Sequence, residues 1–417
     1  MEDRIILHSD FNAFYAGVEM LYNPSLRKVP MAVTGNAEAR HGIILSKNDI
    51  AKKFNVKTGE SMYEARRKCP DIRFVTADHE KYMTYAKMSR RIYVDNFSPL
   101  VESYGLDEVW LDVTGCGVGN GREAADRVRA TMIRELGLTV SVGASFNKVF
   151  AKLGSDMLKP NGTTVINRDD FRETAWPLPV GDLLFVGRAT TMKLLKYGVR
   201  TIGDLAATDV KHLQSWLGVN GVMLWRFANG EDKASVAAIH MYDPLVVKSV
   251  GNSTTTPRDL VTDDEIKITL YSLSESVSSR LKEKGYLCST VQVYIRDNGL
   301  LSFERQKKLV APVNGTLDLF EAAYVLVKEN MPENPIRSLG VRACGLSAMD
   351  DCVQLSIFPD EIKAIKRRDI DDAIGKIRRR YGYDYIKRGI AYLYPALSLD
   401  AQKDNAQGGF LSESKGL

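Results

Sequence analysis

Three acids stand where this chain could do metal chemistry. Asp10 ends a short apolar run, Ile5-Ile6-Leu7, which is long enough for one buried strand. Asp107 and Glu108 follow Gly105, between two strand-like runs, Leu100 to Tyr104 and Val109 to Val113. Carboxylates at the ends of neighbouring strands can converge on two divalent cations about 3.5–4 Å apart. Such a pair activates a hydroxyl and stabilises a leaving pyrophosphate. Asp112 is a further candidate, but its strand continues apolar and it reads as structural. His8 lies within an apolar run and reads as a packed strand residue rather than a ligand. The five cysteines (Cys69, Cys116, Cys288, Cys344, Cys352) include no Cys-x-x-Cys pair, and the five histidines lack metal spacing. Zinc ribbons and disulfide frameworks are thereby excluded, which fits a reducing compartment.

The elements that must carry these acids alternate strand and helix. After Asp10, Phe14, Val18 and Leu21 recur at helical spacing and Asn23-Pro24 ends the element. Pro30 to Val33 and Gly42 to Leu45 read as strands. Asn48 to Phe54 and Ser61 to Lys68 read as short helices of a small basic insertion. His79 to Phe97 is a longer helix with Tyr82, Tyr85, Met88, Ile92 and Val94 as core candidates. A helix over Arg122 to Glu135, a strand at Thr139 to Ala144, a helix from Asn147 to Met157 and the turn Lys159-Pro160-Asn161-Gly162 follow, before the strand Thr164 to Ile166. Because Leu100 to Val113 looks like a hairpin, the sheet should be antiparallel at its centre and the fold class α+β.

Trp176 to Pro179 looks like a linker. Beyond it, Gly187, a helix over Ala189 to Tyr197, Gly198 and a second helix from Ile202 give a helix-hairpin-helix pattern, whose amides can hold a backbone phosphate. Residues 245–347 run strand, helix, hairpin, helix, strand, a split βαβ unit. Along its hairpin Val291, Val293 and Ile295 should face one side and Gln292, Tyr294 and Arg296 the other, with Arg305 and Lys307 alternating on the partner strand. From Met349 a polar tail carries isoleucines at helical period (Ile362, Ile365, Ile370, Ile374, Ile377).

The 417 residues are 44% apolar and 26% charged, which excludes disordered and collagenous chains and suggests two to four domains. The net charge of +5 is too mild to argue nucleic-acid binding by itself. No stretch reaches a membrane span and the N-terminus lacks the order of a signal peptide, so a soluble cytoplasmic protein is expected.

With these residues in place, a resemblance becomes specific. Ser9-Asp10-Phe11-Asn12-Ala13-Phe14-Tyr15-Ala16-Gly17-Val18-Glu19 resembles the first motif of the Y-family translesion DNA polymerases. Ser103 to Asp112 resembles their second motif. Ser141 to Gly162, with Asn147-Lys148 and Lys159-Pro160-Asn161-Gly162, resembles their third. The resemblance covers roughly residues 3–347. It implies a right-hand architecture: a palm over 1–168 with small fingers inserted at about 20–78, a helical thumb over 169–240, a DNA-binding little finger over 245–347 and a tail over 348–417.

The same resemblance implies site roles. Asp10, Asp107 and Glu108, with the Phe11 carbonyl beside them, would hold two Mg²⁺. Tyr15 would be the steric gate that excludes a 2′-hydroxyl, and Phe14 would pack nearby; without the resemblance Tyr15 reads as a helix core aromatic. Lys159 would contact the triphosphate. Many members grip the triphosphate with Tyr and Arg three residues apart in the fingers, whereas this chain has Asp49 and Lys52; Lys52 keeps the charge without the bidentate fork. That departure, with Asp10-Phe11-Asn12-Ala13 and the tail, leans towards the UmuC-like branch over the DinB-like one. Gly187, Arg296, Arg305 and Lys307 would bind DNA. Gln354-Leu355-Ser356-Ile357-Phe358 is similar to the bacterial sliding-clamp-binding pentapeptide, with Gln354, Leu355 and Phe358 as anchors.

The implied activity is error-prone, template-directed synthesis past lesions: a primer 3′-hydroxyl attacks the α-phosphate of a dNTP. The chain has no room for a proofreading exonuclease, and the resemblance leaves accessory subunits open. Two other classes compete, a palm-type nucleotide cyclase and a non-catalytic DNA- and clamp-binding scaffold.

Overall fold

The first strand decides where the rest of the central layer goes. In the computed structural model, which describes residues 4–35, 42–237, 247–349, 359–382, 385–387 and 389–397, β1 (Ile6–Phe11) is buried along its whole length. The chain turns through Ala13, left-handed at φ 49°, into α1 (Phe14–Tyr22). Next comes a small separate layer: β2 (Met31–Thr34), β3 (Ile44–Lys47), the short helices α2 (Asp49–Lys53) and α3 (Met62–Lys68), and β4 (Arg73–Thr76). β2 pairs antiparallel with β3 and parallel with β4 around Ala32, Ile44, Ala51, Val56, Ala65, Cys69 and Ile72. Asn48 caps α2, and Ser61 with Glu64 forms a capping box on α3.

α4 (His79–Asn96) leads into β5 (Val101–Ser103) and β6 (Glu108–Asp112), then α5 (Gly121–Leu136), β7 (Val140–Ser145), α6 (Lys148–Met157) and β8 (Thr163–Ile166). The main sheet has the order β5-β6-β1-β7-β8 and is antiparallel except for β7 with β8. The expected hairpin and antiparallel centre are both present. α1, α4 and α5 share one core with Leu7, Leu111, Val140 and Val142. α6 covers the other face, where Ala151 meets Ile6 and Trp110. One expectation fails on α4: Met88 and Val94 are exposed, and its buried face is Tyr82, Ala86, Ser89 and Tyr93. Those four recur at the 4, 3, 4 spacing of one helical stripe, whereas Met88 and Val94 lie out of phase with it.

A helical segment completes this first compact unit, which contains the described residues of 1–34 and 44–241. It comprises α7 (Phe171–Ala175), α8 (Arg188–Lys196), α9 (Ile202–Ala207), α10 (Val210–Leu217) and α11 (Val219–Ala228). Gly198, at φ 81°, makes the turn between α8 and α9. Thr201 and Asp204 then box the start of α9.

The second unit contains the described residues of 35–43 and 242–417. It runs β9 (Ser249–Leu260), α12 (Asp263–Glu283), β10 (Tyr286–Asp297), β11 (Ser302–Val313), α13 (Thr316–Glu329) and β12 (Ile336–Ala348), with sheet order β11-β10-β12-β9. This is the split βαβ arrangement. Val291, Val293 and Ile295 are buried beneath the two helices. The polar stretch after Met349 is less of a tail than its composition suggests. α14 (Pro359–Tyr381) pairs Arg367 with Asp318 and Arg378 with Glu275, and beyond it α15 (Gly389–Leu393) and Leu397 reach the same core.

The approach of α6 to β7 is close beside the acids. A Cβ on Gly143 would lie 2.0 Å from the Ala151 carbonyl oxygen and 2.4 Å from the Ser155 nitrogen. Only glycine lets the helix seat there. Gly143→Ala should destabilise the protein by about 2–3 kcal/mol, read by denaturant unfolding, because backbone rather than a flexible side chain must move.

Candidate active site at the end of the central strands

Register brings two of the acids together. Asp10 and Glu108 are direct partners in the β1–β6 ladder, so their side chains leave the same face. The Phe11 amide donates to the Asp107 carbonyl at 3.0 Å, which brings the Phe11 backbone beside the acids. Arg90 of α4 donates to the Gly105 carbonyl at 3.0 Å and pins the turn that carries Asp107. Asp112 accepts from the amide and hydroxyl of Thr114, the structural role expected of it.

Two lysines from α6 and the turn after it enter this acidic cluster. Lys152 Nζ lies 3.2 Å from Asp10 Oδ2, 2.8 Å from Glu108 Oε2 and 3.1 Å from Asp156 Oδ2. Lys159 Nζ lies 2.7 Å from Asp10 Oδ2 and 2.7 Å from Asp156 Oδ1. Asn12 ties the Lys159 turn to β1, accepting from the Asn161 amide at 2.8 Å and donating to Ser141 Oγ. His8, wholly buried as expected of a strand residue, stands 3.3 Å from Glu108 Oε2.

The electrostatics follow from burial and sign. Burial, then the charges of Asp10 and Glu108, push the Asp107 carboxyl up to about 6. Burial would also raise Glu108, but His8 and Lys152 outweigh it and bring Glu108 to about 2. Burial lowers His8 and exceeds the opposing pull of Glu108. Lys152 and Lys159 are both raised, since their carboxylate partners overcome the cost of burial.

Four carboxylates against two ammonium groups leave a surplus of negative charge. Among the described residues no group of three or more His, Cys, Asp or Glu is arranged as a metal cage; Asp10 Oδ2 and Glu108 Oε2 face lysines. Asp10, Glu108 and Asp107 offer hard carboxylate oxygens, and Asp107 makes no ion pair among the described residues. That donor set and the uncompensated charge suit Mg²⁺.

Tyr15 is half-buried and stacks on Tyr82 at 4.1 Å and 10°, with His79 edge-on at 5.8 Å. Tyr82 is fixed by its hydroxyl, which donates to Glu19 at 2.8 Å. Burial and the charge of Asp107 raise the Tyr15 phenol, so ring and acid are neighbours. Phe14 is 3% exposed in the core, where it packs on Phe11 and behind Tyr15. Lys52 is exposed on α2, and burial, then the charge of Lys52, lowers Lys47 on β3. Gly187 starts α8 with no side chain capping the helix, and a Cβ there would meet nothing within 4 Å.

Register decides which faces of the second unit carry its basic residues. Val291 pairs with Lys307 and Val293 with Arg305, so these two basic residues lie on the helix-covered face. Arg305 donates to Asn330 Oδ1 at 3.1 Å. Arg296 belongs to the opposite face with Gln292 and Tyr294, joined there by Lys308 opposite Thr290 and Arg342 opposite Gln292. Alternation along one strand could not reveal this, because the faces of two strands are matched only by their register. Gln354, Leu355 and Phe358 lie outside the described residues. Sequence reasoning missed Lys152, Asp156, Arg90 and Arg342. The i, i+4 spacing of Lys152 and Asp156 on α6, with Lys159 in the turn just beyond, is a readable signal.

Comparison with known proteins gives this geometry its class. Residues 9–156 match the impB/mucB/samB family, residues 247–357 its C-terminal domain, and residues 181–232 the thumb domain of DNA polymerase iota. The chain is 46% identical to DNA polymerase IV of Acetivibrio thermocellus over 390 residues, 93% of this chain and 97% of that one. It is 34% identical to DNA polymerase IV of Clostridium acetobutylicum, covering 93% and 98%, and 34% identical to DNA polymerase IV 1 of Bacillus subtilis, covering 93% and 93%. A solved Y-family DNA polymerase chimera shares the fold with TM-score 0.72 and 21% identity, over 82% of this chain and 99% of that one. The chain therefore belongs to the impB/mucB/samB family of Y-family DNA polymerases. It is a DNA-directed DNA polymerase of the translesion kind, acting on primer–template DNA and dNTP. The cyclase and scaffold alternatives give way to this membership. The relatives' shared name lends no support to the UmuC-like lean. No helix among the described residues is long and apolar enough to cross a membrane.

A carboxyl whose folded pKa is raised costs stability above that pKa and nothing below its unfolded value. In EDTA at pH 7.5, Asp107→Asn should be more stable than the wild type by about 2 kcal/mol in urea unfolding. The difference should disappear below about pH 3, where Asp107 is protonated in both states, and should shrink when Mg²⁺ is added.

Proposed function

We propose that Asp10, Asp107 and Glu108, with the Phe11 carbonyl, are the metal-binding centre for nucleotidyl transfer from dNTP to a primer 3′-hydroxyl. The observation that carries this reading is the ladder pairing of Asp10 with Glu108, beside an Asp107 whose half-buried carboxylate makes no ion pair among the described residues. When bound, two divalent cations supply activation of the hydroxyl and compensation of charge on the pyrophosphate. Lys159, the more exposed of the two lysines at 32%, is the group suited to leave Asp10 for a triphosphate. Lys152, 14% exposed, stays as the resident cation. Lys52 and Lys47 extend the phosphate-binding side from the small layer.

Base choice is left to template pairing, so the protein's contribution is position and charge. Residues 1–168 act as palm with fingers inserted at about 20–78, 169–240 as thumb, and 245–347 as little finger. The open face of the little-finger sheet, with Arg296, Arg342 and Lys308, is the surface proposed for the duplex, and Gly187 with the first amides of α8 for a backbone phosphate. The pentapeptide at Gln354, Leu355 and Phe358 is the proposed contact for a sliding clamp, and the cytoplasm the proposed compartment.

Asp107→Ala and Glu108→Ala should each abolish primer extension with a single dNTP while primer–template affinity stays within about threefold. Remote phosphate contacts supply most of that affinity. Near-normal turnover in both variants would overturn the assignment.

Tyr15→Ala should admit ribonucleotides while dNTP extension largely persists. An unchanged preference for dNTP over rNTP would make Tyr15 a core aromatic only.

Arg296→Ala and Arg342→Ala should weaken duplex binding equally for unrelated sequences, each lowering the salt slope by about 1, whereas Arg305→Ala should leave that slope unchanged. Titrations at several salt concentrations read both.

A further inference from the structure

The nearest cationic groups to Glu108 gather at one oxygen, and they come from different elements. Oε2 faces Lys152 Nζ at 2.8 Å and His8 Nε2 at 3.3 Å, both charge contacts without hydrogen-bond geometry, while Oε1 makes no hydrogen bond among the described residues. His8 precedes Asp10 by two positions on β1, so both side chains leave the same face, towards α6.

An imidazole in a fully buried strand position is expensive unless its nitrogens meet polar groups. An aliphatic or phenyl side chain would fill the place without that cost. Here both nitrogens have polar neighbours. Nδ1 lies 2.9 Å from Ser155 Oγ, and Nε2 faces Glu108. The ring is also fixed edge-on against Trp110 at 5.1 Å, its direct partner in the β1–β6 ladder. A carboxylate oxygen only accepts, so Nε2 carries the proton towards Glu108, and Nδ1 shares the Ser155 hydroxyl with the Lys152 carbonyl, 2.8 Å from Oγ. Ser155 stands on α6 three residues beyond Lys152, so one helix supplies both groups that orient the Glu108 clamp.

We propose that His8 is a positioning residue for the polymerase reaction: backed by Ser155 and alongside Lys152, it fixes Oε2 of Glu108 and leaves Oε1 as the oxygen offered to a divalent cation. The inference rests on the reading of Glu108 as a metal ligand. Outer groups that orient a ligand commonly change metal affinity tenfold or more when removed.

The test uses the full-length chain with Mn²⁺ as probe, free Mn²⁺ being read by electron paramagnetic resonance without DNA or dNTP. Mg²⁺ titrations of primer extension run in parallel. His8→Phe keeps the volume and removes both nitrogens. It should weaken Mn²⁺ binding about tenfold and raise the Mg²⁺ needed for half-maximal extension by a similar factor. The KM for dNTP at saturating Mg²⁺ should stay within about twofold. His8→Gln, which keeps a donor near Glu108, should recover most of the loss. Ser155→Ala should shift metal binding in the same direction by less, and it serves if His8→Phe fails to fold. Unchanged Mn²⁺ affinity in His8→Phe and Ser155→Ala would overturn the inference, as would His8→Gln performing no better than His8→Phe. Glu108→Gln separates the two layers of the reading. If it binds Mn²⁺ like the wild type, Glu108 is no ligand; if it loses Mn²⁺ while His8→Phe and Ser155→Ala do not, only the role of His8 falls.

Discussion

Like charges gathered on adjacent strands repel, and the catalytic layer is built around holding them there. Asp10 and Glu108 are cross-strand partners, and Asp107 precedes Glu108 at the turn. Left alone, these acids would take up protons or splay apart. α6 prevents that by inserting Lys152 among Asp10, Glu108 and Asp156, with Lys159 following from the next turn. The compensation is incomplete. The residual negative charge, felt most by Asp107, is of the sign that suits a divalent cation.

That arrangement depends on backbone distances more than on side-chain choice. α6 can bring Lys152 and Ser155 to the acids because Gly143 lets its backbone settle against β7. Asn12 ties the Lys159 turn to β1, and Arg90 reaches from α4 to hold the turn before Asp107. Tyr15 is set by a second chain of contacts, through the face of Tyr82 to the buried carboxylate of Glu19. Rigid strands carry the acids, while the more exposed cations, Lys159 and Lys52, stand on a turn and a short helix.

Much of this was legible in the sequence. Strand ends at Asp10 and at Asp107-Glu108, the hairpin between Leu100 and Val113, and the strand-helix-hairpin-helix-strand order near the C-terminus all came from local patterns. What escaped was set by non-local geometry. Arg305 and Lys307 alternate along β11 as Arg296 does along β10, yet register places them on opposite faces. Met88 and Val94 look like core residues until the stripe through Tyr82 and Tyr93 shows which side of α4 is covered. β4 is a short, mixed run whose strand identity comes from pairing with β2. His8 was read as a packed strand residue, which it is; its contact with Glu108 required two strands and a helix to be placed together.

The central claim is that the same oxygens now shared with lysines belong to a centre that takes divalent cations. The most direct measurement is the anomalous scattering of Mn²⁺ in crystals of the protein with primer–template and a non-hydrolysable dNTP. The account predicts Mn²⁺ peaks within about 2.3 Å of carboxylate oxygens from Asp10, Asp107 and Glu108, with Lys159 Nζ on a phosphate oxygen instead of Asp10. Mn²⁺ bound away from these acids, or Lys159 still paired with Asp10 beside a bound triphosphate, would contradict it.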